Sequence, residues 1–139
     1  MPRFSRSSLE KLESCEDALQ RLFNKFIVEF DCTILCGHRT ATEQARLFAE
    51  GHSKCEWPDS NHNSFPSTAI DVAPYYIEKP HIRWDRSALY RWYYFGGRVV
   101  ELAGALGISL RWGGDWDRDT YVKDQRFNDL PHFELFEGG

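Results

Sequence analysis

An aspartate placed in the middle of an apolar strand constrains this chain more than any other feature. Asn61-His62-Asn63-Ser64-Phe65-Pro66 is polar and turn-prone, and Thr68-Ala69-Ile70-Asp71-Val72-Ala73 then reads as a short buried strand ended by Pro74. A carboxylate at the centre of such a strand is costly unless a cation or a metal holds it. His62, on the other side of the turn, is the nearest partner in sequence. A loop histidine and a strand aspartate can converge on one ion, because the turn brings the chain back on itself. Two ligands do not make a metal site, so a third has to come from elsewhere.

The last apolar run supplies it. In Pro131-His132-Phe133-Glu134-Leu135 a strand's alternation puts His132 and Glu134 on one face and Phe133 and Leu135 on the other. His132 completes a set of two imidazoles and one carboxylate with His62 and Asp71. Three such ligands leave a fourth position for water, the pattern of a catalytic zinc site holding one ion per chain. A zinc ion so held acidifies water and polarises a carbonyl oxygen. The chemistry also needs a carboxylate close to the metal but not on it, to move protons. Asp129, three residues before His132 and held by Leu130-Pro131, is the first candidate. Glu134 is its rival, or a partner that orients a histidine.

The rest of the chain reads as a scaffold around these residues. Its 139 residues are enough for one domain with a real core. A net charge of −4 argues against a general nucleic-acid binder. Met1 to Ser8 lacks the apolar run of a signal peptide, and no segment is long and apolar enough to span a bilayer. The expected product is made in a cytoplasm, does not insert in membranes, and acts as a monomer. Cys15, Cys32, Cys36 and Cys55 fit neither a CxxC pair nor a disulfide framework, and are expected to be reduced and structural. His38, His52 and His81 read as ordinary loop histidines.

Apolar residues at three- and four-residue steps predict an amphipathic helix over about residues 8–26. A strand is expected near Thr33–Cys36. Thr40 and Glu43 have the form of a capping box, opening a helix that closes at Gly51. Asp85 is the expected N-cap of a long helix ending at Gly107, with Gly96-Gly97 inside it as a kink or a point of close approach. Strands over Ile108–Trp112 and Asp129–Phe136 follow. Helices and strands mix without a βαβ rhythm, so the expected class is α+β, with a small, mainly antiparallel sheet packed on helices.

Four motifs in this order carry a resemblance: Gly37-His38-Arg39-Thr40 with Glu43-Gln44; His62 with Ala69-x-Asp71; Trp112-Gly113-Gly114-Asp115-Trp116; and Asp129-x-Pro131-His132-Phe133-Glu134. Together they resemble the zinc peptidases of the D-alanyl-D-alanine carboxypeptidase and hedgehog-fold group, and most of all the L-alanyl-D-glutamate endopeptidases of phage endolysins. The resemblance implies one peptidase domain over 1–139 with a catalytic core over about 33–136. It implies that His62, Asp71 and His132 hold zinc, that Asp129 is the catalytic base, and that Arg39 stabilises the substrate carbonyl or holds a substrate carboxylate. Gln44, Asp115, Trp116 and Glu134 would support the site or touch substrate. The substrate would be the stem peptide of bacterial peptidoglycan, reached after release from the host cytoplasm. A D-Ala-D-Ala carboxypeptidase of the same fold and a non-catalytic zinc-bearing wall module are the alternatives.

The sequence departs from the common family form in one place: Asp71 lies nine residues after His62, with Pro66-Ser67 where a glycine is usual. Asp115-x-Asp117-x-Asp119 lies where some relatives bind calcium. It lacks the sixth-position glycine and twelfth-position acid of an EF-hand loop, so no calcium site is expected there.

Overall fold

Aromatic and branched side chains on one face of a small sheet decide where everything else goes. The computed structural model describes residues 2–122 and 129–136. In chain order the described elements are α1 (Arg6–Glu13), α2 (Asp17–Phe26), β1 (Cys32–Cys36), α3 (Ala41–Ala49), β2 (Ala69–Pro74), α4 (Leu89–Ala105), β3 (Leu110–Gly113) and β4 (Asp129–Leu135). Short 3-10 turns lie at Asn61–Asn63 and Arg86–Ala88. The strands form an antiparallel sheet in the order β1-β2-β4-β3. The α+β expectation holds, and β2 and β4, which carry Asp71 and His132, are central neighbours.

Register then sorts the two faces. Ile34 pairs with Val72, Ile70 with Phe133, and Phe133 with Trp112, and these side chains turn inward. They meet Leu19, Leu22, Phe23 and Phe26 of α2 and Phe95 and Val99 of α4. The ring of Phe133 lies edge-on to Phe23 at 5.8 Å and to Phe95 at 6.1 Å. Each such side chain contributes about 1.5–3 kcal/mol by leaving water. That one-sided core is what lets the other face carry charge. On it, Cys36, Asp71 and His132 lie in one row across three strands, and Ala69, Glu134 and Arg111 form the next.

The N-terminal helix differs from expectation. Residues 8–26 are not one helix but the end of α1, a break at Ser14–Glu16, and α2. Backbone pairing explains the break: Ser67 N donates to Ser14 O at 2.8 Å, and Glu16 N donates to Ser67 O at 2.9 Å. The chain gives up helical bonds there to stitch onto the segment that leads into β2. Apolar periodicity continues across the gap, so it does not register in the sequence. Ser8 of α1 closes part of the β1 edge, its Oγ accepting from Ile34 N at 3.0 Å.

Helix α3 begins as the sequence predicts, with Glu43 N donating to Thr40 Oγ1 at 3.2 Å and Thr40 N donating to Glu43 Oε1 at 3.1 Å. Asp85 caps the 3-10 turn that runs into α4 and not α4 itself. Helix α4 runs unbroken through Gly96. That glycine is buried against the indole of Trp112, which a Cβ at that position would overlap. The same indole stacks on Phe133 at 14° and donates from Nε1 to Leu130 O at 2.8 Å, bracing the start of β4. Among the described residues no helix is long and apolar enough to cross a membrane.

The two glycines of α4 should therefore respond oppositely to alanine. Gly97 has nothing within 4 Å of a Cβ, and Gly97→Ala should stabilise by about 0.5–1 kcal/mol through helix propensity. Gly96→Ala should lose about 1–3 kcal/mol by overpacking Trp112. Urea unfolding of the two variants checks this, and equal effects would contradict the packing.

Candidate active site

The turn before β2 is held at several points, which fixes His62. Ser60 Oγ accepts from His62 N at 3.2 Å, Ser60 N donates to Asn63 Oδ1 at 3.0 Å, and Arg39 N donates to His62 O at 2.7 Å. The ring of His62 is 2 % exposed, and its Nδ1 donates to Gly37 O at 2.8 Å. That bond turns Nε2 toward Asp71, where it lies 3.3 Å from Oδ1 but off the hydrogen-bonding direction, so it is buried without a hydrogen-bond partner. The nine-residue spacing is absorbed by the 3-10 turn and the loop after it, and still brings the two side chains together.

His132 arrives from the neighbouring strand. Its Nδ1 faces Asp71 Oδ1 at 3.1 Å, and its Nε2 faces Glu134 Oε1 at 2.7 Å. Glu134 is buried, and its other oxygen accepts from Arg111 at 2.6 Å. The outer oxygen of Asp71 meets Arg39 at 3.4 Å, and Arg39 also donates to Gln44 Oε1 at 3.1 Å. The sequence-predicted residues His62, Asp71, His132, Glu134, Arg39 and Gln44 thus form one connected cluster.

Electrostatics follow from one partly buried carboxylate between two rings. Burial alone would lower both histidines, but Asp71 outweighs it for each. His62 is raised to about 10, with help from Cys36, and His132 to about 9, with help from Glu134. Burial pushes Asp71 up, yet the two histidines hold it well below the usual carboxylate range. Asp129 is raised, first by burial and then by the Asp71 charge, with partial relief from His132, His62 and Arg39.

These groups open into a cavity of about 310 Å³. His62, His132, Asp129, Glu134, Arg39 and Trp116 line it with residues 51–55 and 59–61. Trp116 lies 5.5 Å from the His132 ring, centroid to centroid. Gly113 matters here because a Cβ on it would overlap the backbone of Asp129, so only glycine lets β3 approach the start of β4. Asp115 does not line this cavity; it accepts from Thr120 N at 2.9 Å and closes its own loop. The carboxylates of Asp115, Asp117 and Asp119 come within 4.8 Å of one another, a group that could hold a cation although the loop lacks the rest of an EF-hand pattern. A larger hollow of about 840 Å³, at the α1 and β1 edge, holds none of the clustered residues. Of the other histidines, His38 bonds Ser64 O, His81 bonds Tyr76 O, and His52 lines the cavity mouth and pairs with Glu50.

The cluster fits a cation. His62 Nε2 is an orphaned buried acceptor when neutral, and it faces the same carboxylate oxygen as His132 Nδ1. Imidazole and carboxylate are donors that zinc accepts. Sequence reasoning missed Cys36, whose Sγ lies 3.8 Å from His62 Nδ1; Cys36, His62 and Asp71 form a potential metal site with donor atoms within 4.8 Å of one another. Cys36 reaches its place opposite Asp71 through a register shift after Ile34, which alternation does not foretell.

Glu134 has a testable pH signature. His132 and Arg111 outweigh its burial and hold it at about 2, below its ordinary 4.5. Its stabilisation is present above about pH 4.5 and lost as pH falls toward 2. Metal-free Glu134→Gln should melt several degrees below wild type at neutral pH, and the gap should close by about pH 2. A gap unchanged across that range would remove Glu134 from the account.

Comparison with known proteins gives the family and the fold. A family model described as phage L-alanyl-D-glutamate peptidase matches residues 1–136. The L-alanyl-D-glutamate peptidase of Escherichia phage T5 is 32% identical over 126 residues, covering 88% of each chain. The fold is similar to that of the L-Ala D-Glu endopeptidase ChiX of Serratia marcescens, with a TM-score of 0.71 over 97% of this chain and 91% of that one, at 21% identity. The chain belongs to the phage L-alanyl-D-glutamate peptidase family.

Proposed function

We propose that this protein is a zinc endopeptidase that cuts the L-Ala–D-Glu bond of the peptidoglycan stem peptide and serves as a phage endolysin. One observation carries the reading: two buried imidazoles from different elements face one oxygen of Asp71 in a cavity that also holds a separate carboxylate, Asp129. Family membership supplies the bond. It favours L-Ala–D-Glu over the terminal D-Ala-D-Ala bond of a carboxypeptidase. The presence of Asp129 and Arg39 in the same cavity favours catalysis over a binding module.

In this reading His62, Asp71 and His132 hold the zinc, one per chain. When bound, zinc lowers the pKa of a water and polarises the scissile carbonyl. Glu134 and Gly37 O set the ring orientations of the two histidines. Asp129 takes a proton from the attacking water and hands it to the leaving D-Glu nitrogen. Its raised affinity for protons suits that exchange better than an ordinary surface carboxylate would. Arg39, held in place by Asp71 and Gln44, stabilises the negative charge that develops on the carbonyl oxygen. Trp116 walls the cavity beside His132.

Release of free amino groups from purified peptidoglycan, with zinc measured on the same samples, tests the assignments. Asp129→Ala should lose about 10²–10⁴-fold in rate with zinc retained. His132→Ala should lose both zinc and activity. Full activity in Asp129→Ala would transfer the base to Glu134, and an inert zinc-loaded wild type would overturn the peptidase reading. Chelation should abolish activity and added zinc should restore it; activity indifferent to chelation would remove the metal from the mechanism.

A further inference from the structure

We propose that Gln44 is the positioning residue that locks Arg39 to the 53–55 wall of the cavity, so that the oxyanion-stabilising cation and the substrate wall are set by one side-chain amide. The inference rests on the peptidase reading above and goes beyond it, because Gln44 does not line the cavity and is 0 % exposed. It therefore acts through other residues.

A carboxamide has two acceptor lone pairs and two N–H donors. Here all four are used. Gln44 Oε1 accepts from Arg39 at 3.1 Å and from Asn63 Nδ2 at 3.2 Å. Gln44 Nε2 donates to Ser53 Oγ at 2.8 Å and to Cys55 O at 2.6 Å. The arrangement has one orientation only: reversing the amide would set its NH₂ against two donors and its oxygen against the Cys55 carbonyl. The capping box at Thr40 and Glu43 starts α3 at Ala41, three residues before Gln44, and Gln44 N donates to Thr40 O at 2.9 Å, so the amide projects from a fixed helical turn.

Each partner of this hub belongs to the site. Arg39 reaches Asp71, Asn63 follows His62 directly, and Ser53 and Cys55 line the cavity wall. The wall has no helix or strand of its own between α3 and the 3-10 turn at Asn61–Asn63. Backbone bonds from His52 N and Ser53 N to Leu47 O tie its start to α3, and the side-chain bonds of Gln44 and Ser53 hold it from Ser53 to Cys55. Loss of the amide should free the wall and let Arg39 swing, and a small misplacement at a reacting centre can cost about 10²-fold.

Two variants separate the halves of the hub. Gln44→Met keeps the volume and removes all four bonds. Gln44→Glu keeps the acceptors for Arg39 and Asn63 but turns an oxygen on the Cys55 carbonyl. Zinc-loaded protein would be compared by steady-state kinetics on a soluble stem-peptide fragment and by hydrogen–deuterium exchange of the segment 51–60. Gln44→Met should lower kcat by about 10–100-fold and speed exchange in 51–60. Gln44→Glu should speed the same exchange and raise KM while keeping most of kcat. In an Arg39→Ala background, Gln44→Met should cost less than about twofold more in kcat, because its effect passes through Arg39.

Wild-type kcat and exchange in Gln44→Met, or losses that multiply fully in the double variant, would overturn the proposal. A lowered Tm with kcat and KM per folded molecule unchanged would do so as well. Exchange needs no substrate, so a wild type inert on wall peptides would count against the peptidase reading while the exchange comparison still decides whether Gln44 holds the wall.

Discussion

Asp71 Oδ1 lies 3.3 Å from His62 Nε2 and 3.1 Å from His132 Nδ1, on a strand hydrogen-bonded on both sides. An uncompensated carboxylate there would be strongly destabilising. The compensation organises the molecule. One histidine comes from a capped turn, the other from the adjacent strand in direct register, and Arg39 covers the outer oxygen. Removing the Asp71 carboxylate would leave two buried rings and a guanidinium without their common partner. Structure and proposed chemistry therefore depend on the same atoms.

The apolar side of the sheet makes that concentration of charge tolerable. Phe133 and His132 are adjacent in β4 and point to opposite faces, so the packing that anchors Phe133 among Phe23, Phe95 and Trp112 also fixes the height of His132. Trp112 extends the control to Asp129: its indole fills the space left by Gly96, and its Nε1 holds Leu130 O, one residue from the proposed base. The aromatic core thus sets where β4 lies, and the polar bonds around His62, His132 and Arg39 set how their side chains are turned.

Much of this was legible from the chain because period-two alternation is a strong signal around a misplaced polar residue. An aspartate between Ile70 and Val72, and a histidine and glutamate flanking Phe133, announce a polar face by their positions alone. The capping box at Thr40 was equally readable, since it is local chemistry. What stayed hidden depends on contacts distant in sequence. The break between α1 and α2 answers to Ser67, far from Ser14 and Glu16 in sequence but bonded to them at 2.8 and 2.9 Å. Cys36 reaches Asp71 through a register shift, and Gln44 acquires its four partners only when the wall folds over α3. Asp115 lay in one of the four motifs that carry the resemblance, but its hydrogen bond to Thr120 turns it to its own loop.

X-ray absorption on the zinc-loaded protein would test the central claim most directly, because it reads the donor atoms without reference to substrate. Ligation by His62, Asp71 and His132 predicts a first shell of nitrogen and oxygen only, at about 2.0–2.2 Å, with an imidazole outer-shell pattern from two rings. A sulfur scatterer at about 2.3 Å would place Cys36 on the metal and contradict the account.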